Sequence, residues 1–340
     1  MTAGGERALI ARLRARLAAL PPFPHVLLPP GDDGAVVRAT RGEVDVLTTD
    51  TLVEGVHFAA HFCHPADVGR KALHVNLSDL AAMGATPRSA LLSLGLPEGL
   101  SLEAFDAFLD GFLSVAEANR VALIGGNLTR SPGPWFITVT ALGTAKRRAV
   151  LTRSGGRPGD LLFVTGQLGA GRSGLWWLEQ RKGEEPVGVF AEAVEHYRCG
   201  LARVRHGVRV ARTRCASACM DLSDGLADAV TQVAEASGTG AEIELSRIPA
   251  HPSTTEAWGA RGSWEALLGG DDYELLVAVP PRRRRAFEAA LGHRLAPVTM
   301  IGRLTPQREG LRVKRADATM VPLPRGYEHF AETVSRKDAG

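Results

Sequence analysis

The sequence has few cysteines and none of the segments that take a chain into or through a membrane. Its 340 residues include four cysteines, Cys63, Cys199, Cys215 and Cys219, which are far apart or at spacings unlike a zinc ribbon. We expect reduced thiols in a cytoplasmic protein. Arginines interrupt the apolar positions between Glu6 and Leu20, so this stretch does not resemble a signal-peptide core. No apolar run approaches the roughly 18 residues of a membrane span.

The sequence also lacks a strong charge imbalance and the common triphosphate-binding loops. The net charge is +3, which gives no electrostatic argument for a nucleic-acid partner. Neither G-x-x-x-x-G-K-[ST] nor the protein-kinase signature set occurs. A triphosphate would therefore have to be neutralised in another way. Arg130 and Arg153, beside predicted strand ends and loops, are candidate guanidinium clamps, although either could be a solvated surface arginine.

Length and pattern predict two α/β domains. Hydrophobic residues make up 45% of the chain, enough for a sizeable core. The segment 146–160 is rich in Gly and Arg, and we place the boundary there, giving an N-terminal domain at 1–148 and a C-terminal domain at 149–340. Helices are predicted from Pro65 to about Met83, at 102–118, at 225–236 and up to about Leu291. Strands are predicted at 44–48, 90–96, 121–124, 136–142, 161–165, 218–222, 241–245, 274–279 and 298–301.

Aspartates recur at predicted strand ends and turns. They are Asp32, Asp33, Asp50, Asp79, Asp221, Asp224, Asp271 and Asp272. Each one alone is typical of a turn or a helix cap. Gathered carboxylates repel one another, and burial raises their pKa values, so a divalent cation is needed to hold them together. Hard oxygen ligands favour Mg²⁺, which shares phosphates with one or two carboxylates. The pattern therefore predicts acids that hold a triphosphate through magnesium.

Several longer segments resemble one protein family. These are Gly31-Asp-Asp-Gly-Ala35, Thr48-Thr-Asp-Thr-Leu-Val-Glu-Gly-Val-His-Phe58, Lys71-Ala-Leu-His-Val-Asn-Leu-Ser-Asp-Leu-Ala-Ala-Met-Gly-Ala85, Gly125-Gly-Asn-Leu-Thr-Arg130, Leu151-Thr-Arg-Ser-Gly155, Asp221-Leu-Ser-Asp-Gly225, Gly269-Gly-Asp-Asp-Tyr-Glu-Leu275 and Gly326-Tyr-Glu-His-Phe330. In order and spacing they resemble the thiamine-monophosphate kinases over nearly the whole chain. The two long segments from Thr48 and from Lys71 are the most specific.

The resemblance implies a two-domain fold like that of aminoimidazole-ribonucleotide synthetase. It implies a homodimer joined through the sheets of the N-terminal domains, a cleft between the domains, and ATP held through several Mg²⁺ ions. The implied metal ligands are Asp33, Thr48, Thr49, Asp50, Asp79, Asn127, Asp221 and Asp224. The implied ATP contacts are Gly126, Asn127, Arg153 and Ser223. The implied substrate contacts are His57, Asp271 and Tyr327.

The implied reaction is direct transfer of the ATP γ-phosphoryl group to thiamine monophosphate. A phosphate acceptor is already largely ionised at neutral pH because its second pKa is about 6, so no general base is required. Two departures from the family pattern bear on the site. Asn127 stands where the family often has Asp, and Asp271 stands where it has Glu. The first substitution removes a charge, and the second shortens the side chain by one methylene.

Four other interpretations stay open from the sequence. Gly169-Ala-Gly-Arg-Ser-Gly174 matches the dinucleotide fingerprint and suggests a nicotinamide enzyme. His57, His61, Cys63 and His64 could bind Zn²⁺. Asn127 and Asp271 could mark a pseudoenzyme that binds nucleotide without turnover. Another ATP-dependent synthetase of the same superfamily is the nearest rival.

Overall fold

A computed structural model describes residues 5–30, 34–292 and 295–326. The first part of the chain contains the helices α1 (Gly5–Ala18), α2 (Pro65–Ala82) and α3 (Leu102–Ala118). The second part contains α4 (Ala170–Gln180), α5 (Val189–Cys199), α6 (Val204–Thr213), α7 (Leu226–Ser237), α8 (Pro252–Trp258), α9 (Gly262–Leu268) and α10 (Arg284–Leu291). No helix in these ranges is long and apolar enough to cross a membrane.

The strands fall into three sheets. A small ribbon pairs β1 (Val26–Leu28) with β2 (Val36–Val37). A four-stranded sheet contains β3 (Val44–Val53), β4 (Thr86–Pro97), β5 (Ala122–Ser131) and β6 (Phe136–Ala145). A seven-stranded sheet contains β7 (Leu161–Thr165), β8 (Ala218–Asp221), β9 (Thr239–Glu244), β10 (Leu275–Val279), β11 (Val298–Pro306), β12 (Leu311–Lys314) and β13 (Met320–Pro322).

The four-stranded sheet has the order β3-β6-β4-β5 and one covered face. β5 runs parallel to β4, and the other neighbours are antiparallel. α2 packs against α3 and over β3 and β6, which buries that face. The opposite face, which we call the open face, presents threonines and exposed apolar side chains; Leu47 is 62% exposed and Leu91 38%. On this face Thr51 bonds Thr138.

The seven-stranded sheet is covered on both faces. Its order is β13-β12-β9-β11-β7-β10-β8, antiparallel except for the β12–β9 pair. The alternation along β7 sends Leu162 and Val164 into the core under α7, whereas Phe163 contacts Phe287 of α10 on the other face. This two-sided burial explains why β10 is a continuous apolar run and why β7 is apolar up to its last residue, Thr165.

α2 lies between the two sheets, where it packs against β3 and β6 of the four-stranded sheet and β8 of the seven-stranded sheet. His64 caps its first turn in a capping box with Asp67. Pro65 occupies the first helical position, as the sequence predicts. Gly69 lies where a Cβ would be 2.1 Å from the Phe108 carbonyl oxygen of α3. Gly207 of α6 approaches α2 as closely, since a Cβ there would lie 1.9 Å from the Ala81 carbonyl oxygen. α2 therefore touches both units main chain to main chain.

The two α/β units and most predicted elements are confirmed, but several bounds differ. β3 continues to Val53 instead of ending at Asp50, because its threonines pair with Thr138 and Thr140 of β6. β5 extends to Ser131 through two glycines. The elements that were not predicted include the helices α6, α8 and α9 and the strands β1, β2, β12 and β13. The boundary at 148/149 stays a prediction; α4 and α5 pack onto the same apolar cluster as α2 and α3.

Candidate active site

A cleft of about 580 Å³ lies between the two units. One wall comes from β3, the turn after it and α2, and the other from α4 and the loops that flank β8 and β10. The polar residues that line it are Asp50, Thr51, His57, Asp79, Arg172, Asp221, Ser223, Asp224, Asp271 and Tyr273. The predicted acids thus come from both halves of the chain to one cavity.

The alternation along β3 sorts the predicted ligands between the two faces of the sheet. Thr48 and Asp50 face α2, and the Thr48 hydroxyl donates to Asp79 Oδ2 at 2.5 Å. Thr49 faces the open side instead, where its hydroxyl donates to the Val139 carbonyl oxygen at 3.1 Å. The side chain of Thr49 is therefore separated from the Asp50 carboxylate by the sheet.

The last turn of α2 brings Asp79 and Ser78 between the two units. Asp79 lies beside Asp50 on the β3 side and adds to the rise in the pKa of Asp50 that burial causes. Ser78 is completely buried and donates to Asp221 Oδ2 at 2.9 Å. One helical turn therefore contacts acids on both sheets. Sequence reasoning assigned no role to Ser78 within the segment that begins at Lys71. In the structure Ser78 links α2 to Asp221.

The loop after β8 is held against the loop before β10. The Asp271 amide donates to the Ser223 carbonyl oxygen at 2.7 Å, and the Tyr273 amide donates to Leu222 at 3.0 Å. Gly225 has φ +96°, and a Cβ there would lie 2.5 Å from the Gly269 carbonyl oxygen, so the close approach requires glycine. These contacts place Ser223 and Asp271 at one end of the cleft.

Burial and mutual repulsion raise the pKa values of the clustered acids. Desolvation is the main cause for Asp50, whose pKa rises to about 6 with further repulsion from Asp79 and Asp224. Desolvation likewise raises the pKa of Asp221 to about 7, and Asp79 adds to it. The pKa of Asp79 is raised by burial, although Thr48 and the Arg153 charge oppose the shift.

This electrostatic arrangement suits a divalent cation. Carboxylate and hydroxyl oxygens are hard donors, and ionised acids at this spacing destabilise one another unless a cation is present. Arg153 offsets only part of the repulsion. Its side chain is exposed, and its Nη1 donates to Gln232 Oε1 at 2.5 Å. The residues present therefore fit Mg²⁺.

The raised pKa values predict a pH-dependent effect of Mg²⁺ on stability. Between about pH 4 and pH 7 the folded chain binds more protons at Asp50 and Asp221 than the unfolded chain, so this contribution to stability falls as pH rises. A bound cation removes the cost of ionisation. We therefore expect Mg²⁺ to raise the melting temperature more at about pH 8 than at about pH 5.5. An equal or smaller shift at the higher pH, measured by calorimetry, would contradict this.

Two predicted residues, Gly126 and Asn127, lie away from the cleft, and two others cannot be placed. Gly126 and Asn127 are on β5, at the opposite edge of the sheet from β3, which places them on the order of 14 Å away, three strand spacings. Asn127 is exposed on the open face, in line with Ser93. Asp33 and Tyr327 lie outside the described residues.

One end of the cleft is lined by His57 and Asp271, the two described residues that the resemblance implies as substrate contacts. His57 Nδ1 accepts from the Val53 amide at 3.0 Å. Asp271 and Tyr273 both have positive φ angles, +63° and +49°, which are costly for residues with a side chain. Arg172 also lines this end and was not predicted. Its place in the Gly169–Gly174 loop, at the start of a helix, was the available signal.

The nicotinamide interpretation is not supported by the loop that suggested it. The Gly169 amide donates to both carboxylate oxygens of Asp272, at 2.9 and 2.8 Å. Asp272 is completely buried, and desolvation raises its pKa. The chain's own carboxylate thus occupies the start of α4, where a dinucleotide phosphate would bind. Asp272 is a structural residue, whereas its neighbour Asp271 faces the cleft.

The zinc interpretation is likewise unsupported. His64 caps α2, Cys63 is buried, and His61 packs on Phe62 with ring centroids 4.0 Å apart. Within the described ranges the side chains with metal-ligand geometry are Asp67, Glu195 and Cys199 instead. The Arg70 guanidinium bonds Asp67 and Cys199 there and already supplies the positive charge.

Fold and cleft define a class of protein. Residues 31–145 match the family AIR synthase related protein, N-terminal domain, and residues 157–314 match its C-terminal domain. The thiamine-monophosphate kinase of Salmonella typhimurium is 37% identical over 336 residues, covering 96% of this chain and 98% of that protein. The chain belongs to the thiamine-monophosphate kinase family.

Solved structures agree with this assignment. Thiamine-monophosphate kinase from Stenotrophomonas maltophilia K279a has a TM-score of 0.81 and 36% identity, covering 91% of this chain and 96% of that one. AaThiL complexed with AMPPCP and TMP has a TM-score of 0.75 and 33% identity, covering 96% of this chain and 97% of that one.

Proposed function

We propose that this chain transfers the γ-phosphoryl group of ATP to thiamine monophosphate and forms thiamine diphosphate, in a Mg²⁺-dependent reaction. The observation that carries the proposal is the convergence of Asp50, Asp79 and Asp221 in one cleft, from a strand, a helix and a second sheet. A relative solved with an ATP analogue and TMP supports the pairing of the two ligands.

The chemistry needs positioning more than proton transfer. The acceptor oxygen is already ionised, so the acids bind the metal instead of removing a proton. Bound Mg²⁺ would screen the charge of the two phosphates. Asp50, Asp79, Asp221 and Asp224 would hold it, with Thr48 orienting Asp79. The remaining proposed ligands, Asp33, Thr49 and Asn127, rest on the family resemblance.

The two substrates would bind side by side, because the proposed ATP contact Ser223 is hydrogen-bonded through its carbonyl oxygen to the proposed substrate contact Asp271. Burial raises the pKa values of Asp79 and Asp221, and the Arg153 charge lies near enough to oppose part of that rise. Its guanidinium would therefore contact phosphate beside these acids. Ser223 and its neighbour Asp224 lie on the loop after β8, which is hydrogen-bonded to the loop before β10. His57 and Asp271 line the part of the cleft that we call the substrate end, where an amino or cationic group of the thiamine would meet the Asp271 carboxylate.

The direct test is ADP release with thiamine monophosphate, ATP and Mg²⁺ and the purified full chain. We expect ADP formation that requires thiamine monophosphate, with thiamine diphosphate formed in equal amount by chromatography. Nucleotide binding without thiamine-dependent ADP formation would favour the pseudoenzyme. ADP formation with a different acceptor would favour another synthetase of the superfamily.

The neutral amide at position 127 gives a separate prediction. Asn127→Asp adds a charge to a proposed ligand, so we expect the Mg²⁺ concentration for half-maximal turnover to fall or stay unchanged. Asn119→Asp, at the C-terminal cap of α3, is the control because it adds the same charge at another place. A clearly higher Mg²⁺ requirement in Asn127→Asp alone would contradict the proposed role.

We also propose a homodimer paired through the open faces, in a reducing cytoplasm. The open face exposes Leu47 and Leu91, which pairing would bury. The four cysteines are buried and free, which supports a reducing compartment.

Leu47→Glu tests the pairing. A buried carboxylate facing its symmetry copy would be unfavourable, so we expect this variant to sediment as a monomer. Val187→Glu is the control, because Val187 is 68% exposed and lies in the segment between α4 and α5. A Leu47→Glu protein with the same sedimentation coefficient as wild type would refute pairing through this face.

A further inference from the structure

A buried lysine joins the substrate end of the cleft to α2. Lys71 is 2% exposed, and its Nζ donates to the Tyr197 carbonyl oxygen at 3.1 Å and to the His57 carbonyl oxygen at 3.3 Å. It also pairs with Asp271 Oδ1 at 3.3 Å. An ammonium has three donors, so these three oxygens satisfy it. The Tyr197 ring lies 4.5 Å from the charge and adds a cation–π contact.

The three acceptors belong to segments far apart in sequence. His57 is in the turn after β3, Tyr197 is near the end of α5, and Asp271 is in the loop before β10. Two of these segments contain the residues proposed to bind thiamine monophosphate. Lys71 takes no part in the proposed phosphoryl transfer. Its burial is nevertheless costly, because a buried charge requires well-placed partners.

Asp271 is oriented by the pair. Its Oδ1 receives both Lys71 and the Tyr273 hydroxyl, the latter at 2.6 Å. The side chain is 33% exposed and lines the cleft. With Oδ1 used by two donors, Oδ2 is the oxygen placed for a ligand. The left-handed backbone at Asp271 needs such tertiary support.

We infer that Lys71 is a positioning residue for the thiamine-phosphate substrate, and this inference rests on the proposed function. Its ammonium fixes the Asp271 carboxylate and the main chain of His57 together, so that a donor or cationic group of the substrate meets a preset oxygen. The short side chain of Asp271 makes that orientation critical because its carboxylate cannot reach far from the main chain by itself.

The test compares Lys71→Met with Arg70→Met. Methionine keeps most of the length and removes the charge, and Arg70 is the preceding residue of α2, paired with Asp67 away from the cleft. We expect Lys71→Met to weaken thiamine monophosphate binding on the order of tenfold or more, as for a lost charge-assisted contact. Binding of Mg²⁺–ATP and the behaviour of Arg70→Met should change little. Calorimetric titration with each ligand separately measures the two affinities. A loss of affinity for thiamine monophosphate alone would not result from general destabilisation.

A double-mutant cycle with Asp271→Asn tests whether Lys71 acts through Asp271. We expect the effects to be non-additive, with Lys71→Met weakening binding less in the Asp271→Asn background than alone. If Lys71→Met does not fold, Lys71→Gln replaces it in the same cycle. Full additivity, or equal losses of affinity for both ligands, would overturn the inference.

The proposed function can fail separately. Wild-type protein that binds Mg²⁺–ATP but not thiamine monophosphate refutes the proposed function and, with it, the role of Lys71. Wild-type protein that binds both, with unchanged thiamine monophosphate affinity in folded Lys71→Met, refutes the inference alone.

Discussion

Replacing Asp50 by alanine is expected to lower turnover about 10³-fold or more, because it removes a charge that holds the metal at the transferring phosphate. Asp50 lies beside Asp79 and is repelled by Asp79 and Asp224, which is the arrangement expected for a shared cation. The measurement is the rate of ADP formation at saturating Mg²⁺ and saturating substrates.

Asp45→Ala is the matched control. Asp45 is on the same strand, exposed, and at the far end of β3 from the cleft. The metal-free Asp50→Ala protein should be as stable as wild type or more stable at about pH 8, because the lost carboxylate has a raised pKa and is unfavourable when ionised. Near-normal turnover in Asp50→Ala would refute its proposed role.

Withdrawal of Mg²⁺ should have the second large effect. With a chelator present we expect thiamine-dependent ADP formation to fall to background, and to return when Mg²⁺ is added in excess. The reason is that Asp50, Asp79 and Asp221 would face the phosphates as uncompensated negative charge. Arg153 alone is too exposed to offset it.

Zinc and calcium serve as the comparison ions in the same assay. Ca²⁺ prefers a larger, more flexible oxygen shell, and Zn²⁺ prefers nitrogen and sulfur ligands, so neither should restore the full rate. Turnover that persists with the chelator at wild-type rate would refute metal-dependent transfer by this chain.

The sequence predicted the individual helices and strands at the site better than the contacts between them. Pro65, the apolar spacing and the stop at Gly84 predicted α2 well, because these signals are local. That Ser78 would reach Asp221, 143 residues later, depends on how the two sheets pack. No pattern within a short window contains that information.

Strand alternation separated residues that sequence reasoning had grouped. Thr48, Thr49 and Asp50 are consecutive, yet Thr49 faces away from the other two, because side chains alternate across a strand. The adjacent pair Asp271 and Asp272 divides in a similar way. Asp272 is completely buried against the start of α4, and only Asp271 lines the cleft. A motif indicates residue type, and the strand or loop decides which residue reaches the ligand.

The double anchoring of α2 bears on how the cleft can open. This helix touches α3 of one unit and α6 of the other at glycines where no side chain could fit. Its buried Lys71 bonds His57 of the first unit and Tyr197 and Asp271 of the second. A rotation of one unit against the other would have to break the close packing of α2 against α3 or against α6. Release of product should therefore depend on small loop displacements at the entrance of the cleft. The two units should also unfold together in a single cooperative step.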